Sequence, residues 1–233
     1  MSRPMKTCCI AQPTYLPWTG YFNLISESDV FIFLDNIPLS KQSWQVRNRI
    51  LLQKKEIWLS VPVCRSRSNQ IIAEIQTHPT INWKHKHLRT LEQSYHSHPY
   101  GNLLLSFLKK FYESQTTYLS DFNIALIQSL TDLLGIESCF IKASEMGIQG
   151  QRSKRLIQMC ETSHCTRYLS QEGSKQYIEE DGCFTHSSIH LDFQNFIPKA
   201  YSQKGQDDFI SHLSILDAIA NLGIEKSREY ILN

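Results

Sequence analysis

The sequence has no C-x-x-C pair, no apolar run long enough to cross a membrane and almost no net charge, and each lack closes off a class of protein. Its seven cysteines stand at positions 8, 9, 64, 139, 160, 165 and 183. An odd, scattered set fits neither a disulfide framework nor a structural zinc site, so free thiols are expected. Cys160, His164 and Cys165 come nearest to a metal-ligand cluster; the competing reading is buried structural thiols beside a surface histidine, because no second pair of zinc-like spacing follows. The 24 Lys and Arg against 22 Asp and Glu leave a formal charge of +2, too small to predict a nucleic-acid partner from bulk electrostatics. The apolar stretch at residues 8–10 falls far short of a signal peptide's apolar region or the ~20 residues of a membrane span, so a cytoplasmic protein with no membrane span is expected. No G-x-S-x-G elbow, phosphate-binding P-loop or G-x-G-x-x-G is present, so motif spacing assigns no reaction and names no cofactor.

What is present is the composition of a folded protein. Of 233 residues 41% are hydrophobic and 20% charged, with 9 Gly and 8 Pro, and a chain of this size can build its core without staples. Residues 5–11 and 29–34 read as fully buried strands. Between them residues 18–26 carry apolar side chains at 18, 21, 22, 24 and 25, a helical stripe, and the order strand–turn–helix–strand is that of a βαβ unit with a parallel sheet. Residues 57–63 are a third strand, placed at an edge or a strand end by Pro62, and residues 71–75 a weaker fourth. Helices are expected at 83–95, 102–112 and 120–134, the last closed by Gly135. The βα alternation then resumes with a strand at 140–143, a helix at 154–162, strands at 167–170 and 189–193, and a terminal helix at 214–221 stopped by Gly223. The fold class is therefore α/β, a Rossmann-like and mostly parallel sheet with a helical insertion at about 83–134. Without a repeat or linker, residues 1–233 read as one domain.

Four segments stand out as candidate binding elements. Gln12-Pro13-Thr14-Tyr15-Leu16-Pro17-Trp18-Thr19-Gly20-Tyr21 packs two prolines, a glycine and three aromatics between a strand and a helix, which makes a rigid turn. Ligands bind at the carboxyl ends of parallel strands, and Gln12, Thr14 and Tyr15 add hydrogen-bonding groups that a plain aromatic plug does not need. Residues 41–49 bring Trp44, Arg47, Asn48 and Arg49 just past the strand end at Asp35. Arg47 and Arg49 are assigned opposite sides of an extended run, one to grip a phosphate or carboxylate and the other to pair with an acid such as Asp35; a solvated face is the alternative. Residues 83–89 form a basic helical stretch with Lys84, His87 and Leu88 on one face, either an anion site or a solvated surface. Residues 167–177 run from a strand through Ser170 and Gly173 to a helix start at Lys175, a turn whose N–H groups suit phosphate oxygens unless it is only a turn.

The run Gln12-Pro13-x-Tyr15-Leu16-Pro17-Trp18-x-Gly20-Tyr21-Phe22, then Asp29 to Asp35, Arg47-Asn48-Arg49-Ile50 and Trp58-Leu59-x-Val61-Pro62-Val63, resembles the WbqC-like family. The likeness continues through Trp83-x-x-x-His87-Leu88, Ser153-x-Arg155-Leu156-Ile157, Tyr168-Leu169-Ser170, Gly173 and Leu213-Ser214-Ile215-Leu216-Asp217, and so spans nearly the whole chain. Similar proteins come from bacterial O-antigen, lipopolysaccharide and related surface-glycan gene clusters. The resemblance therefore implies a cytoplasmic role in making or decorating a nucleotide-linked amino sugar, by acyl or aminoacyl transfer; the alternative is a non-catalytic partner of a glycan-pathway enzyme. The substrate implied is a small anionic molecule, a sugar nucleotide. In that reading Arg47, Arg49 and Lys175 hold phosphates, with Asn48, Ser170 and Gly173 beside them; Tyr15, Trp18 and Trp44 pack the sugar or base; Asp35 and Gln12 orient the reacting group, and His87 is the base. Many relatives carry His where this chain has Ala11, and Phe where it has Trp44, so a mechanism needing an imidazole at position 11 does not carry over. A looser likeness in layout to the first βαβ of nucleotide-binding ligases and cytidylyltransferases lacks their histidine pair and is a fold-level analogy.

Overall fold

A strand whose every residue is apolar or small can only be stable with cover on both faces, and the centre of the molecule is built from two such strands. The computed structural model describes residues 5–40, 43–67 and 69–233; Lys41 and Gln42, the start of the second candidate segment, lie outside them. In chain order the strands are β1 (Thr7–Ala11), β2 (Val30–Phe33), β3 (Arg47–Leu52), β4 (Lys55–Ser60), β5 (Val63–Cys64), β6 (Gln76–Thr77), β7 (Cys139–Lys142), β8 (Arg167–Ser170) and β9 (His190–Phe193). The helices are α1 (Thr19–Ser26), α2 (Trp83–Tyr95), α3 (Gly101–Tyr112), α4 (Leu119–Leu133), α5 (Arg152–Thr162), α6 (Lys175–Asp181), α7 (Ile215–Leu222) and α8 (Ile224–Leu232).

β1 and β2 are buried along their whole length. They sit inside a five-stranded sheet of order β7-β2-β1-β8-β9 in which every pairing is parallel. The two-residue period of a strand sorts their side chains into two cores. Cys9, Ala11, Phe31, Phe33 and Leu169 face the larger one, with α1, α4 and α7. Cys8, Ile10, Val30, Ile32 and Tyr168 face the smaller one, with Leu156, Met159 and Cys160 of α5 and Ile178 of α6. Helices on both faces of a parallel sheet make the Rossmann-like α/β arrangement expected from the sequence. Cys160 and Cys165 are interior thiols in that smaller core together with Cys8, His164 is exposed, and no group of three or more metal-ligating side chains occurs among the described residues. Among those residues no helix is long and apolar enough to cross a membrane.

The helical insertion is α2, α3 and α4, close to the expected bounds. Three other expectations need correction. The strand at 57–63 ends at Ser60, ahead of Pro62, and pairs antiparallel with β3 in a hairpin outside the main sheet; the Arg-Asn-Arg run, expected to be extended, is its first strand. Residues 71–75 contain a single turn of 3-10 helix, Ile72–Glu74, not a strand. Gly223 ends α7 and at the same time starts α8, which the sequence reading did not include.

Candidate functional site

The topology marks one edge of the sheet as the candidate site. From β1 the chain steps through α1 to β2 and later β7 on one side, whereas β8 and β9 extend the sheet on the other. The carboxyl ends of β1 and β8 therefore flank the switch point of the sheet, the ligand-binding position in open α/β folds. A cleft of about 580 Å³ lies there. Its walls come from the segment after β1 (Thr14, Pro17, Trp18), from α1 (Tyr21, Leu24), from the turn after β8 (Gln171, Glu172, Gly173), from the stretch after β9 (Gln194, Phe196), from the hairpin and its approach (Trp44, Asn48, Arg49), and from His212.

The turn after β1 cannot satisfy its own backbone, since Pro13 and Pro17 supply no N–H. Two buried amides do so from behind. Asn48 Nδ2 donates to the carbonyls of Tyr15 (3.1 Å) and Leu16 (2.7 Å), and Asn123 Nδ2 donates to those of Pro13 (3.0 Å) and Gln45 (2.9 Å). The Tyr15 N–H donates to the Trp44 carbonyl at 2.8 Å, tying the turn to the hairpin's approach. Gly20 is required by a close approach: a Cβ there would stand 2.2 Å from the Trp18 indole. That indole lies against the imidazole of His212, with ring centres 4.6 Å apart and planes 28° apart, and meets Phe196 edge-on at 5.7 Å. His212 holds φ +59, a conformation costly for a non-glycine residue. Its carbonyl accepts from Arg49 Nη2 at 3.2 Å, and neighbouring bonds from Ser214 N to Arg49 O and from Ile215 N to Pro17 O pin the segment across the cleft. The His212 Nδ1 pairs with Ser211 Oγ at 2.8 Å, which leaves Nε2 for a ligand.

Of the residues expected at the site, Trp18, Trp44, Asn48, Arg49 and Gly173 line the cleft. The others are placed elsewhere, each for a physical reason. Tyr15 is fully buried and turns into the core, where its hydroxyl meets His87 Nδ1 at 2.7 Å and Tyr112 Oη at 2.5 Å; burial raises its pKa well above the usual phenol value. His87 is buried beside Trp83 and Phe122, and the loss of water pushes its pKa down to about 4. It lines no part of the cleft, which removes it as the base. Asn48 spends both donors on the turn and accepts the Arg49 N–H at 2.7 Å, so it is a clamp. The side chain of Gln12 is bonded to Gln45. Ser170 is buried at the end of β8. Lys175 pairs with Glu172 at 3.7 Å and belongs to a shallow depression with Gln176 and Glu179.

Arg47 and Arg49, two apart on β3, share a face, because side chains alternate with period two. Both lie over Trp58, at 4.3 and 6.0 Å, and the acid that pairs with Arg49 is Glu56 at 2.7 Å. Asp35 is buried at the end of β2, where it accepts from Ser144 N (2.8 Å) and Ser144 Oγ (2.6 Å). It fastens β2 to the segment after β7. Asp35→Ala is therefore expected to cost about 2–3 kcal/mol of stability by orphaning both donors, without changing ligand affinity by more than about twofold. Urea unfolding and a binding titration on the same variant check this; a binding loss with unchanged stability would return Asp35 to the site.

His212, Gln194 and Phe196 were not anticipated. The last two follow directly from β9, whose carboxyl end belongs to the same edge of the sheet, so the strand at 189–193 carried the signal. His212 has no local signal, since tertiary hydrogen bonds alone bring it to the cleft.

Comparison with known proteins agrees with this geometry in its extent. An uncharacterized protein of Mycobacterium tuberculosis, Rv1507c, is 30% identical over 223 residues, covering 95% of this chain and 96% of the relative. No solved structure matches the chain. The family model for WbqC-like proteins matches residues 12–229, from the proline turn that walls the cleft to the last helix, and the chain belongs to the WbqC-like protein family.

Proposed function

We propose that the protein is an enzyme that modifies a nucleotide-linked amino sugar for bacterial surface polysaccharide, by transfer of an acyl or aminoacyl group. The observation that carries this reading is that the stacked cluster of Trp18, His212 and Phe196 and the polar side chains of Thr14, Gln171, Glu172 and Gln194 line one switch-point cleft. Aromatic faces suit the C–H faces of a sugar ring, and short polar side chains suit its hydroxyl and amide groups. A sugar amine is an ammonium near neutral pH and must lose a proton before it attacks an acyl carbon. His212 is the cleft's imidazole, held through Nδ1 by Ser211, and it takes the role of proton acceptor. The reading as a non-catalytic partner requires an exposed apolar patch away from the cleft; of the two exposed indoles that stand together, Trp44 lines the cleft and Trp58 packs on Trp44.

Thermal-shift screening against sugar nucleotides, coenzyme A thioesters and ATP tests the proposal. A ligand at a hundred times its Kd stabilises by about 2.7 kcal/mol, expected here as a rise of roughly 5–10 °C. Gly20→Ala, which drives the Trp18 indole off His212, is expected to shrink the rise given by a sugar nucleotide to that given by the free nucleotide. If no compound of the three classes moves the midpoint, the proposal is wrong.

A further inference from the structure

The charges around the cleft are unevenly committed. Inside, Arg49 is paired with Glu56, so among the described residues a diphosphate seated against Trp18 would meet no uncommitted arginine or lysine. On the hairpin beyond Trp44 the situation reverses. Arg47 has no carboxylate partner among the described residues; its guanidinium lies on the Trp58 indole, 4.3 Å from the ring centre, and its Nε has no hydrogen-bond partner. Trp44 stands 5.4 Å from Trp58 at a 37° tilt, and the two indoles are 48% and 46% exposed, unusual for the largest apolar side chain unless a ligand covers it. Trp44 also lines the cleft, so the shelf and the chamber are continuous.

We propose that the nucleotide-linked sugar enters sugar-first: the sugar lies inside against Trp18 and His212, the diphosphate meets Arg47 on the hairpin, and the base stacks on Trp44. This rests on the proposed function and adds its polarity. A guanidinium parked on an indole keeps its N–H edge available for bidentate contact with phosphate oxygens, and an exposed indole offers a stacking face to any nucleobase. The reverse orientation would put the cationic sugar amine over the Arg47 guanidinium and two phosphates among amides and the Glu172 carboxylate.

The test is titration of the full chain, by calorimetry, with UDP, CDP, GDP and dTDP and with the N-acetylhexosamine conjugate of each. Arg47→Ala and Trp44→Ala are expected to weaken the free nucleotide and the conjugate alike, by about tenfold or more. Trp18→Ala and His212→Ala are expected to leave the free nucleotide within about twofold and to reduce the conjugate's affinity to that of the nucleotide. Arg47→Lys, which keeps the charge without the planar fork, is expected to fall between. Trp44 and Arg47 lie on the outer side of the approach and hairpin, and an unchanged melting midpoint establishes that their variants are folded. If Trp18→Ala weakens the free nucleotide tenfold while Arg47→Ala does not, the orientation is overturned and the proposed function stands. If neither a nucleotide nor a conjugate binds, both fall.

Discussion

Acidifying the protein from neutral pH to about pH 4 is expected to remove roughly 3 kcal/mol of stability through His87 alone. The imidazole is buried, and desolvation lowers its pKa from 6.5 to about 4, only partly offset by the Ser60 backbone. In the folded protein the ring therefore stays neutral, with its Nδ1 hydrogen-bonded to the Tyr15 hydroxyl at 2.7 Å and that hydroxyl in turn bonded to the Tyr112 hydroxyl. The unfolded chain takes up a proton at this residue near pH 6.5 and the folded chain does not until about pH 4. The unfolded state thus binds more protons in that window, and stability is complete above 6.5 and falls as pH drops toward 4. Urea unfolding of the wild type and of His87→Asn at pH 7.5, 5.5 and 4.5 isolates the residue. The variant starts lower and is expected to lose the extra slope; parallel slopes in the two proteins would show that His87 is not the group responsible. Stability near neutral pH then favours assays above pH 6.5.

The second large effect is expected of Gly101→Ala. Gly101 begins α3 where it turns back against the end of α2, and a Cβ there would stand 1.8 Å from the Tyr95 carbonyl oxygen. That oxygen is backbone and accepts from the His98 N–H, while the Tyr100 N–H donates to Ala220 of α7, so neither side can give. The cost is placed at the top of the overpacking range, about 3 kcal/mol, a fall in Tm of roughly 6–12 °C. Leu103→Ala, at an exposed position two residues on, is the control and is expected to change stability by less than about 0.5 kcal/mol. Because α2 carries His87 and α3 carries Tyr112, displacing their corner also breaks the hydrogen bonds to Tyr15, and the near-ultraviolet circular dichroism of that aromatic cluster should weaken in Gly101→Ala alone.

The parallel sheet was legible because its signal is local: residues 7–11 and 30–33 are unbroken buried runs, and periodicity marked α2, α4 and the strand 167–170. The hairpin was not, because Arg47-Asn48-Arg49 reads as surface. Asn48 is buried only because carbonyls distant in sequence need its amide. His87 was misassigned although its fate could be read: Trp83, His87 and Leu91 fall four apart on one stripe of α2, all buried. A polar residue on an apolar stripe is an interior residue first. Thr14, Trp18 and Gly173 reach the cleft as expected from strand ends, whereas His212 depends on a backbone conformation and on bonds to Arg49 and Pro17 that no short window contains.

The proline turn is held from its rear by the amides of Asn48 and Asn123. Its frame and its facing are thereby separate inventions. Thr14 or Gln171 can be exchanged without rebuilding the bend, so a lineage inheriting this scaffold is free to change the lining of the cleft while the two asparagines stay put.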